Sequence, residues 1–411
     1  MRWCWFLLMC LPGLPGVNAR PAISQTDTLV LTNANVIDGL SESPSMNRAV
    51  VVRDGRIVAI VAADAAPNGG VVHDLKGRYL LPGLIDAHVH VGSTGQARKA
   101  LQTGITTVRS MGTANYADIG LRELAKKRII ESPEILAAGY HVIPHPSEAL
   151  FIDDPSLSDL WSGVRGPDAY RRVTAANLER GVDWIKIAST ERAGLPNTDP
   201  RKQTMTVDEI AAVVDEATNR GVPVAAHAHG DEGGRAAVLG GVRSIEHGTY
   251  LSEETLTLMK ERGTFLVPTV AIVEDLMNPG GDYDDPVLQV RGRHMLPRVM
   301  EAVATARRLG VKIVAATDTG FRPDSTLTLQ HEIEALTKCG LSPMEAIQAA
   351  TSVAAELLEI DDRTGAIRQG YEADLIVVDQ NPLDNILSLQ DVLLVVNNGK
   401  VMLDRLSFAL E

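Results

Sequence analysis

The chain has 411 residues, of which 45% are hydrophobic and 22% are charged. This composition excludes disordered, collagen-like and coiled-coil proteins, and the length fits one large domain with a smaller one, or two ordinary domains. The formal net charge of -13 repels phosphate backbones and anionic membrane surfaces, so we expect neither nucleic acid nor a membrane as a partner. Only 4% of the residues are aromatic and 35 are glycine, which favours an α/β protein with tight turns.

Residues 1–19 have the pattern of a signal peptide. An apolar stretch from Trp3 to Leu11 follows Arg2, and a small-residue cleavage site ends at Ala19. Nine apolar residues are too few to span a membrane as a helix, so we predict export of a periplasmic or secreted protein after cleavage near Ala19. A lipoprotein modified at Cys10 is the alternative. Cleavage would leave only Cys339 and therefore no internal disulfide.

Both ends of the chain contain short apolar runs separated by turn residues, which is typical of β-strands. Asp54-Gly55 lies between two such runs and predicts a hairpin turn, because both of its central residues need a positive φ. Isolated hairpins are marginal in water, so we predict that residues 20–81 and 366–411 pair into one composite β-sandwich. The runs cover residues 28–31, 49–52, 57–61, 374–378 and 392–396.

Residues 82–365 repeat a unit made of a short apolar run, a polar loop and a longer amphipathic stretch. Eight units predict a (β/α)8 TIM barrel, in which functional groups lie at the C-terminal ends of the strands. An open doubly wound sheet is the alternative, although no Gly-x-Gly-x-x-Gly follows the first strand to support nucleotide binding. Two of the helices are predicted over residues 207–220 and 297–309. The strands are predicted over residues 84–90, 105–109, 135–141, 183–188, 222–227, 242–247, 265–270 and 312–317.

Six of these strands end in, or run directly into, residues that bind metals or transfer protons. In His88-Val89-His90 both imidazoles face the same side, because successive strand residues alternate. Each residue alone has an ordinary explanation: a single histidine is usually structural, Lys186 could extend its ammonium to the rim, and Asp318 could be a turn residue. Together they predict a metal site at one end of the barrel. The set is His88, His90, His141, His145, Lys186, His227, His247 and Asp318.

These motifs resemble the amidohydrolase superfamily, and most closely its prolidase-like branch. That branch contains metal-dependent dipeptidases, carboxypeptidases and N-acyl-amino-acid amidohydrolases, including ochratoxin-hydrolysing amidases. The resemblance extends from the N-terminal hairpins to Gly399. It is carried by residues 81–90 (LPGLIDAHVH), the strand lysine Lys186, His227, residues 245–248 (IEHG) and residues 316–318 (ATD).

The resemblance implies a centre of two divalent metal ions, with zinc as the expected metal. A lysine at an apolar strand end has a depressed pKa, which favours carboxylation of its amine. A hydroxide shared by the ions would attack the amide carbonyl, and Asp318 would shuttle the proton to the leaving nitrogen. The implied ligands are His88, His90 and Asp318 for the first ion, His227 and His247 for the second, and carboxylated Lys186 between them.

The resemblance also implies an enzyme that hydrolyses the amide bond of N-acyl amino acids or dipeptides, including ochratoxin-type N-acyl-phenylalanine amides. The alternatives are a deaminase or an imidazolone- or hydantoin-type cyclic-amide hydrolase, and a scaffold without activity. We expect a small-molecule substrate and a homo-oligomer. His145 is the candidate oxyanion partner, although the family's Gly-Gly-His run is absent here. The candidate substrate-binding residues are Ser93, His229 and Arg192, with Arg201 and Lys202 as further cations.

Overall fold

The computed structural model of the protein describes residues 28–407, so the predicted signal peptide and its cleavage site lie outside the described residues. In this part of the chain, no helix is both long and apolar enough to cross a membrane.

Strands from both ends of the chain form one eight-stranded sheet. Its order is β15-β14-β13-β5-β1-β2-β3, and β4 also pairs with β1. The antiparallel pairing of β5 with β13, with Leu81 opposite Ile376, joins the two chain ends and confirms the predicted composite β domain. Asp54 and Gly55 have φ values of 49° and 78°, as the predicted hairpin turn requires. The strands are β1 (Thr28–Val36), β2 (Ser45–Arg53), β3 (Arg56–Ala62), β4 (Val71–Asp74), β5 (Tyr79–Pro82), β13 (Leu375–Val378), β14 (Val392–Asn397) and β15 (Lys400–Asp404).

Seven parallel strands of the central region form two sheets, β6-β7-β8 and β9-β10-β11-β12. A parallel bridge between Val142 and Ile187 connects the two sheets on one side. These strands are β6 (Leu84–Val89), β7 (Ile105–Ser110), β8 (Glu134–Ala137), β9 (Ile185–Ala188), β10 (Val224–Ala228), β11 (Ser244–His247) and β12 (Phe265–Val267).

The eighth barrel position is occupied by residues 312–319, which have isolated β-bridges at Ile313 and Thr319 rather than the regular strand predicted for residues 312–317. Parallel bridges join it to Leu266 of β12 and to Val89 of β6. Its backbone also hydrogen bonds to both neighbours, with Asp318 N donating to His88 O over 2.8 Å. The ring is therefore closed, which confirms the TIM barrel and excludes an open sheet.

Twelve α-helices occur in the described residues, most of them around the barrel. They are α1 (Thr94–Gln102), α2 (Ala117–Lys126), α3 (Glu148–Asp153), α4 (Pro167–Glu179), α5 (Val207–Thr218), α6 (Asp231–Leu239), α7 (Glu253–Arg262), α8 (Val270–Asp275), α9 (Pro286–Leu309), α10 (Leu329–Lys338), α11 (Pro343–Ala349) and α12 (Ser352–Leu358).

Several predicted element boundaries differ from the structure; the strand predicted over residues 135–141, for example, ends at Ala137. Two of the differences have identifiable physical reasons. Helix α9 was predicted to begin at Pro297, but it begins eleven residues earlier, where Asp285 caps its first turn and Pro286 occupies the first helical position. The helix continues through Pro297 because buried residues on both sides hold it against the barrel. The strand predicted over residues 265–270 stops at Val267, since Thr269 has a φ of 49° and starts α8.

Strand alternation explains how polar groups reach the inside of this barrel. In β9, Ile185 and Ile187 belong to the main apolar core, while Lys186 between them points to the histidines of the barrel interior. Because all barrel strands run parallel, their C-terminal ends share one rim. Side chains at the ends of strands far apart in sequence therefore meet there.

Candidate metal centre

The residues predicted as metal ligands lie together at the C-terminal rim of the barrel. They line one cavity of about 330 Å³. Each comes from a different strand end, apart from His88 and His90, which share β6 and the residue that follows it. The set is His88, His90, Lys186, His227, His247 and Asp318.

Two groups of three side chains each bring their donor atoms close enough together to bind a metal ion. His227, His229 and His247 form one group, and the other consists of His88, His247 and Asp318. Within each group the donor atoms lie within 4.8 Å of one another, and His247 belongs to both. Imidazole nitrogens and carboxylate oxygens are ligands that zinc and similar divalent ions accept. The donor set therefore fits a metal site.

Each histidine of the centre has one ring nitrogen that is fixed by a neighbouring polar group. Such contacts orient metal-binding histidines and leave the other nitrogen for the ion. The contacts are His88 Nδ1 to Glu246 Oε2 (2.8 Å), His90 Nδ1 to Gly112 O (2.9 Å), His227 Nε2 to Glu191 O (3.2 Å), His229 Nδ1 to Thr249 Oγ1 (2.8 Å) and His247 Nδ1 to Thr269 Oγ1 (2.7 Å).

Burial keeps most of these imidazoles neutral. It lowers the pKa of His88 to about 4 and the pKa of His229 to about 3, and it lowers those of His227 and His247 well below the usual value. Only a neutral imidazole has a lone pair to offer an ion. These four imidazoles are therefore neutral at neutral pH, which is the form that can bind an ion.

Lys186 is buried among these groups, with its Nζ 3.2 Å from His88 Nε2. Burial lowers the pKa of its amine to about 8. A sizeable fraction of such an amine is unprotonated at neutral pH, and an unprotonated amine can react with carbon dioxide. The electrostatics therefore suit the carboxylation predicted for this lysine.

Asp318 lies at the end of the eighth barrel segment, between the two histidines of the first strand. Its Oδ1 is 3.1 Å from His90 Nε2 and 3.3 Å from His88 Nε2. Burial by itself would raise the pKa of this carboxyl, but the nearby histidines outweigh burial and hold the pKa well below its usual range. The positive φ values of Asp318 (55°) and His247 (75°) are uncommon for residues other than glycine and occur preferentially at functional sites.

Sequence reasoning missed a buried ion pair beneath the centre. Glu246 is fully buried and accepts hydrogen bonds from Arg109 Nη2 over 2.9 and 3.0 Å. The Arg109 guanidinium also lies 4.4 Å from the centre of the Trp184 ring. Burial would raise the pKa of Glu246, but the charges of Arg109 and Lys186 lower it to about 2. The sequence showed Arg109 at the end of the predicted strand 105–109, but it gave no indication that Glu246 is its partner.

The predicted substrate-binding residues lie in different places relative to the cavity. His229 is buried in the cavity, whereas Arg192 and His145 are exposed at its rim. Ser93 does not line the cavity; it is exposed, and its side chain caps α1 by accepting a hydrogen bond from Gln96 N over 3.3 Å. The further cations are engaged on the surface, with Arg201 paired to Asp199 and Lys202 paired to Glu191.

Tyr283 lines the cavity although no sequence motif indicated it. It lies between α8 and α9, and the charge of Asp318, followed by burial, raises the pKa of its phenol. His141 faces the same space, with its ring centre 6.0 Å from that of His90 and its Nε2 2.7 Å from Met111 O. A loop tyrosine far from every strand end gives no periodic signal, so only the tertiary structure reveals it.

The space around the centre has an apolar and a polar compartment. The polar one is an adjoining cavity of about 310 Å³, and both are lined by His90, His141, Arg192, Tyr283 and Asp318. The apolar wall consists of Ile143, Leu195, Ile272, Val273, Leu276 and Met295. Asp282 and Arg322 line the polar compartment but not the apolar one, and they form an ion pair with an N–O distance of 3.6 Å.

Comparisons with known proteins agree with this geometry. The profile of the family described as "Amidohydrolase family" matches residues 79–402. Ochratoxinase from Aspergillus niger is 26% identical over 392 residues, covering 85% of this chain and 80% of that protein.

Two solved structures are similar over nearly the whole chain. One is a Xaa-Pro dipeptidase with methionine bound in its active site, with a TM-score of 0.80 and 28% identity, covering 91% of this chain and 99% of that one. The other is a prolidase in complex with N-methylphosphonate-L-proline, with a TM-score of 0.77 and 25% identity, covering 91% of this chain and 99% of that one.

Proposed function

The chain belongs to the amidohydrolase family, and from this premise we propose that it is a binuclear metal-dependent enzyme hydrolysing the amide bond of N-acyl amino acids or dipeptides. The observation that carries the proposal is the pair of donor groups sharing His247, beside a cavity with one apolar and one polar side. Similarity to ochratoxinase and to a Xaa-Pro dipeptidase supports amides that lie next to a carboxylate.

Two divalent ions, with zinc expected, would occupy the two donor groups. When bound, they supply Lewis acidity toward the carbonyl and an activated water at neutral pH. By the resemblance, His88, His90 and Asp318 would hold the first ion, His227 and His247 would hold the second, and carboxylated Lys186 would be a ligand of both. His229 lies within the second donor group and faces the cavity, so it is placed to contact either an ion or the substrate.

Asp318 is the proposed proton carrier. Its low pKa keeps it ionised at neutral pH, so it can accept a proton from the attacking water and pass it to the leaving nitrogen. Without that proton the nitrogen would have to depart as an anion. Asp318 lines both compartments, which supports this role.

The developing oxyanion needs a hydrogen-bond donor on the polar side of the cavity. His145 is the candidate from sequence and lies exposed at the rim. Tyr283 is a second candidate, because its phenol lies in the field of Asp318 and remains protonated at neutral pH.

The compartments suggest how the substrate is oriented. An aliphatic or aromatic group would pack against the apolar wall, and the substrate carboxylate would lie on the polar side near Arg192. An arginine guanidinium can bind a carboxylate through two parallel hydrogen bonds.

The test is a hydrolysis panel with zinc-loaded protein. It compares N-acyl amino acids, including N-acyl-phenylalanines, and dipeptides with matched amides in which the carboxylate is replaced by a methyl group. We expect release of the free amino acid, with kcat/KM about tenfold or more lower without the carboxylate, as loss of one charge-assisted contact implies. Cyclic imides, imidazolones and aminated heterocycles form the contrasting arm. Turnover confined to that arm would replace the proposal with the cyclic-amide hydrolase or deaminase alternative.

We also propose that the mature protein acts outside the cytoplasm, as a homo-oligomer. The N-terminal pattern of residues 1–19 supports export. N-terminal sequencing of the protein recovered from a secreting host should give a start close to residue 20, and light scattering should give a mass of at least two chains.

A further inference from the structure

The loop between β9 and α5, residues 189–206, forms one wall of the cavity. It contains no helix or regular strand, yet it contributes Arg192, Ala193, Leu195 and Thr198 to the cavity lining. Loops of this length without secondary structure are uncommon in a compact domain and usually serve function. What keeps such a loop in place therefore determines the shape of the cavity.

A single side chain of α9 holds this loop from the outside. The Nη1 of Arg291 donates to Ala193 O over 2.5 Å and to Leu195 O over 2.7 Å. Its Nη2 donates to Thr198 O over 2.6 Å and to Pro196 O over 3.2 Å. In residues 28–407 no carboxylate forms an ion pair with Arg291, so its hydrogen-bonding capacity is directed to the loop carbonyls.

The inner side of the same loop touches the candidate centre. Glu191 O lies 3.2 Å from His227 Nε2, so the start of the loop orients one of the proposed ligands. Gly194 packs against Tyr283 so closely that a Cβ at this position would lie 2.9 Å from Cε1 of the tyrosine. The loop is thus fixed between the Arg291 guanidinium and the cavity.

Helix α9 provides a rigid base for this contact. At Gly292, next to Arg291, a Cβ would lie 2.9 Å from Met277 Cγ and 3.0 Å from Leu276 Cβ. Such close packing fixes the backbone from which the guanidinium extends. Within the loop, the Thr198 hydroxyl donates to Arg192 O over 2.5 Å and to Leu195 O over 2.6 Å, so the contact at Thr198 extends to Arg192.

We propose that Arg291 is a positioning residue that fixes the β9–α5 loop as the cavity wall and thereby sets the affinity and size selectivity for the substrate. The part about selectivity rests on the proposed function, while the part about the loop does not. The planar guanidinium reaches four carbonyls with two nitrogens, which the single nitrogen of a lysine cannot reproduce.

The experiment compares Arg291→Lys and Arg291→Met with wild type. Thr198→Val is a second way to loosen the loop, and Arg293→Met, at an exposed position on the same helix, is the matched control. Amide hydrogen exchange of residues 191–204 is measured by mass spectrometry, together with metal content, because the amides of Glu191, Asp199, Lys202 and Thr204 donate hydrogen bonds within the loop. The values of kcat and KM are measured for a bulky and a small N-acyl amino acid.

We expect exchange at residues 191–204 to accelerate about tenfold or more in both Arg291 variants and in Thr198→Val, because loss of the hydrogen bonds to the loop carbonyls lets the loop open and exposes its hydrogen-bonded amides. KM should rise about tenfold for the bulky substrate and less for the small one, while kcat changes by less than about threefold and metal content stays constant. The Arg293 control should match wild type in every measurement.

Unchanged exchange at residues 191–204 in both Arg291 variants would overturn the proposal. An equal acceleration across the barrel strands would also overturn it, because it would make Arg291 a general stability residue. If an Arg291 variant does not fold, the same criteria apply to Thr198→Val. If wild type hydrolyses none of the amides, the proposed function fails, and the exchange data still decide whether Arg291 fixes the loop.

Discussion

Replacing Glu246 with glutamine tests the buried network beneath the candidate centre. In wild type the carboxylate accepts two hydrogen bonds from Arg109, one from Ser244 over 2.5 Å, and contacts His88 Nδ1 over 2.8 Å. Both Glu246 and Arg109 have no solvent-exposed side-chain surface. Glu246→Gln keeps the size of the side chain but leaves the Arg109 charge buried without a counter-charge.

The expected loss of stability follows from that uncompensated charge. Removing one partner of a buried ion pair costs about 3–5 kcal/mol. An unfolding entropy of about 2.1 cal/mol/K per residue, applied to 411 residues, converts this cost into a fall in Tm of roughly 4–6 °C. Because the same carboxylate orients His88, we also expect metal affinity to fall about 10–100-fold.

Calorimetry and chelator-competition titration measure the two effects. Ser244→Ala is the matched control, since it removes one hydrogen bond to the same carboxylate and no charge, and should cost only about 1 kcal/mol. The double variant Arg109→Met with Glu246→Gln removes both charges and should regain part of the lost stability. The reasoning is refuted if Glu246→Gln melts within about 1 °C of wild type. It is also refuted if the double variant loses as much stability as Arg109→Met and Glu246→Gln lose in sum.

Four further predictions follow from the centre and from the β domain. The zinc-loaded protein should contain about two zinc ions per chain. Exhaustive chelation should abolish activity, and zinc, cobalt or manganese should restore it. Activity that survives chelation would contradict a metal mechanism. Asp318→Asn keeps an oxygen ligand but cannot accept the proton, so kcat should fall about 100-fold or more while metal content changes little, and equal losses would indicate a structural role. Lys186→Ala should lose at least one ion and nearly all turnover, and acetate or propionate, but not methylamine, should restore part of the activity; wild-type turnover with two ions bound would exclude a bridging carbamate. Burial raises the pKa of Asp374 from 3.8 to about 7, so the stability contributed by its neutral form is fully present below about pH 4 and is lost as pH rises through 7. In denaturant titrations, the stability of Asp374→Asn relative to wild type should therefore increase by roughly 2–3 kcal/mol from pH 5 to pH 8. A stability difference that does not change with pH would contradict the shift.

Local sequence patterns determined much of this protein. Alternation within a strand places His88 and His90 on one face, and the same rule turns Lys186 inward between two core isoleucines. A tight hairpin turn requires positive φ values, and this requirement identified Asp54-Gly55 as such a turn. Eight repeated units indicated a barrel, and in a parallel barrel the strand ends necessarily share a rim. These features could be predicted because each depends on residues close together in the chain or on a rule that every parallel barrel obeys.

The tertiary structure decided the contacts between residues distant in sequence. The Arg109 and Glu246 pair spans 137 positions, and the contacts of Arg291 with the β9–α5 loop span more than 90. Neither pairing has a periodic signature, because it depends on how the barrel closes and on where each loop crosses the rim. Likewise, α9 passes through Pro297 because packing against the barrel outweighs the local tendency of proline to end a helix. Sequence thus specified which side chains face the barrel interior, and the packing of distant loops and helices specified what surrounds them.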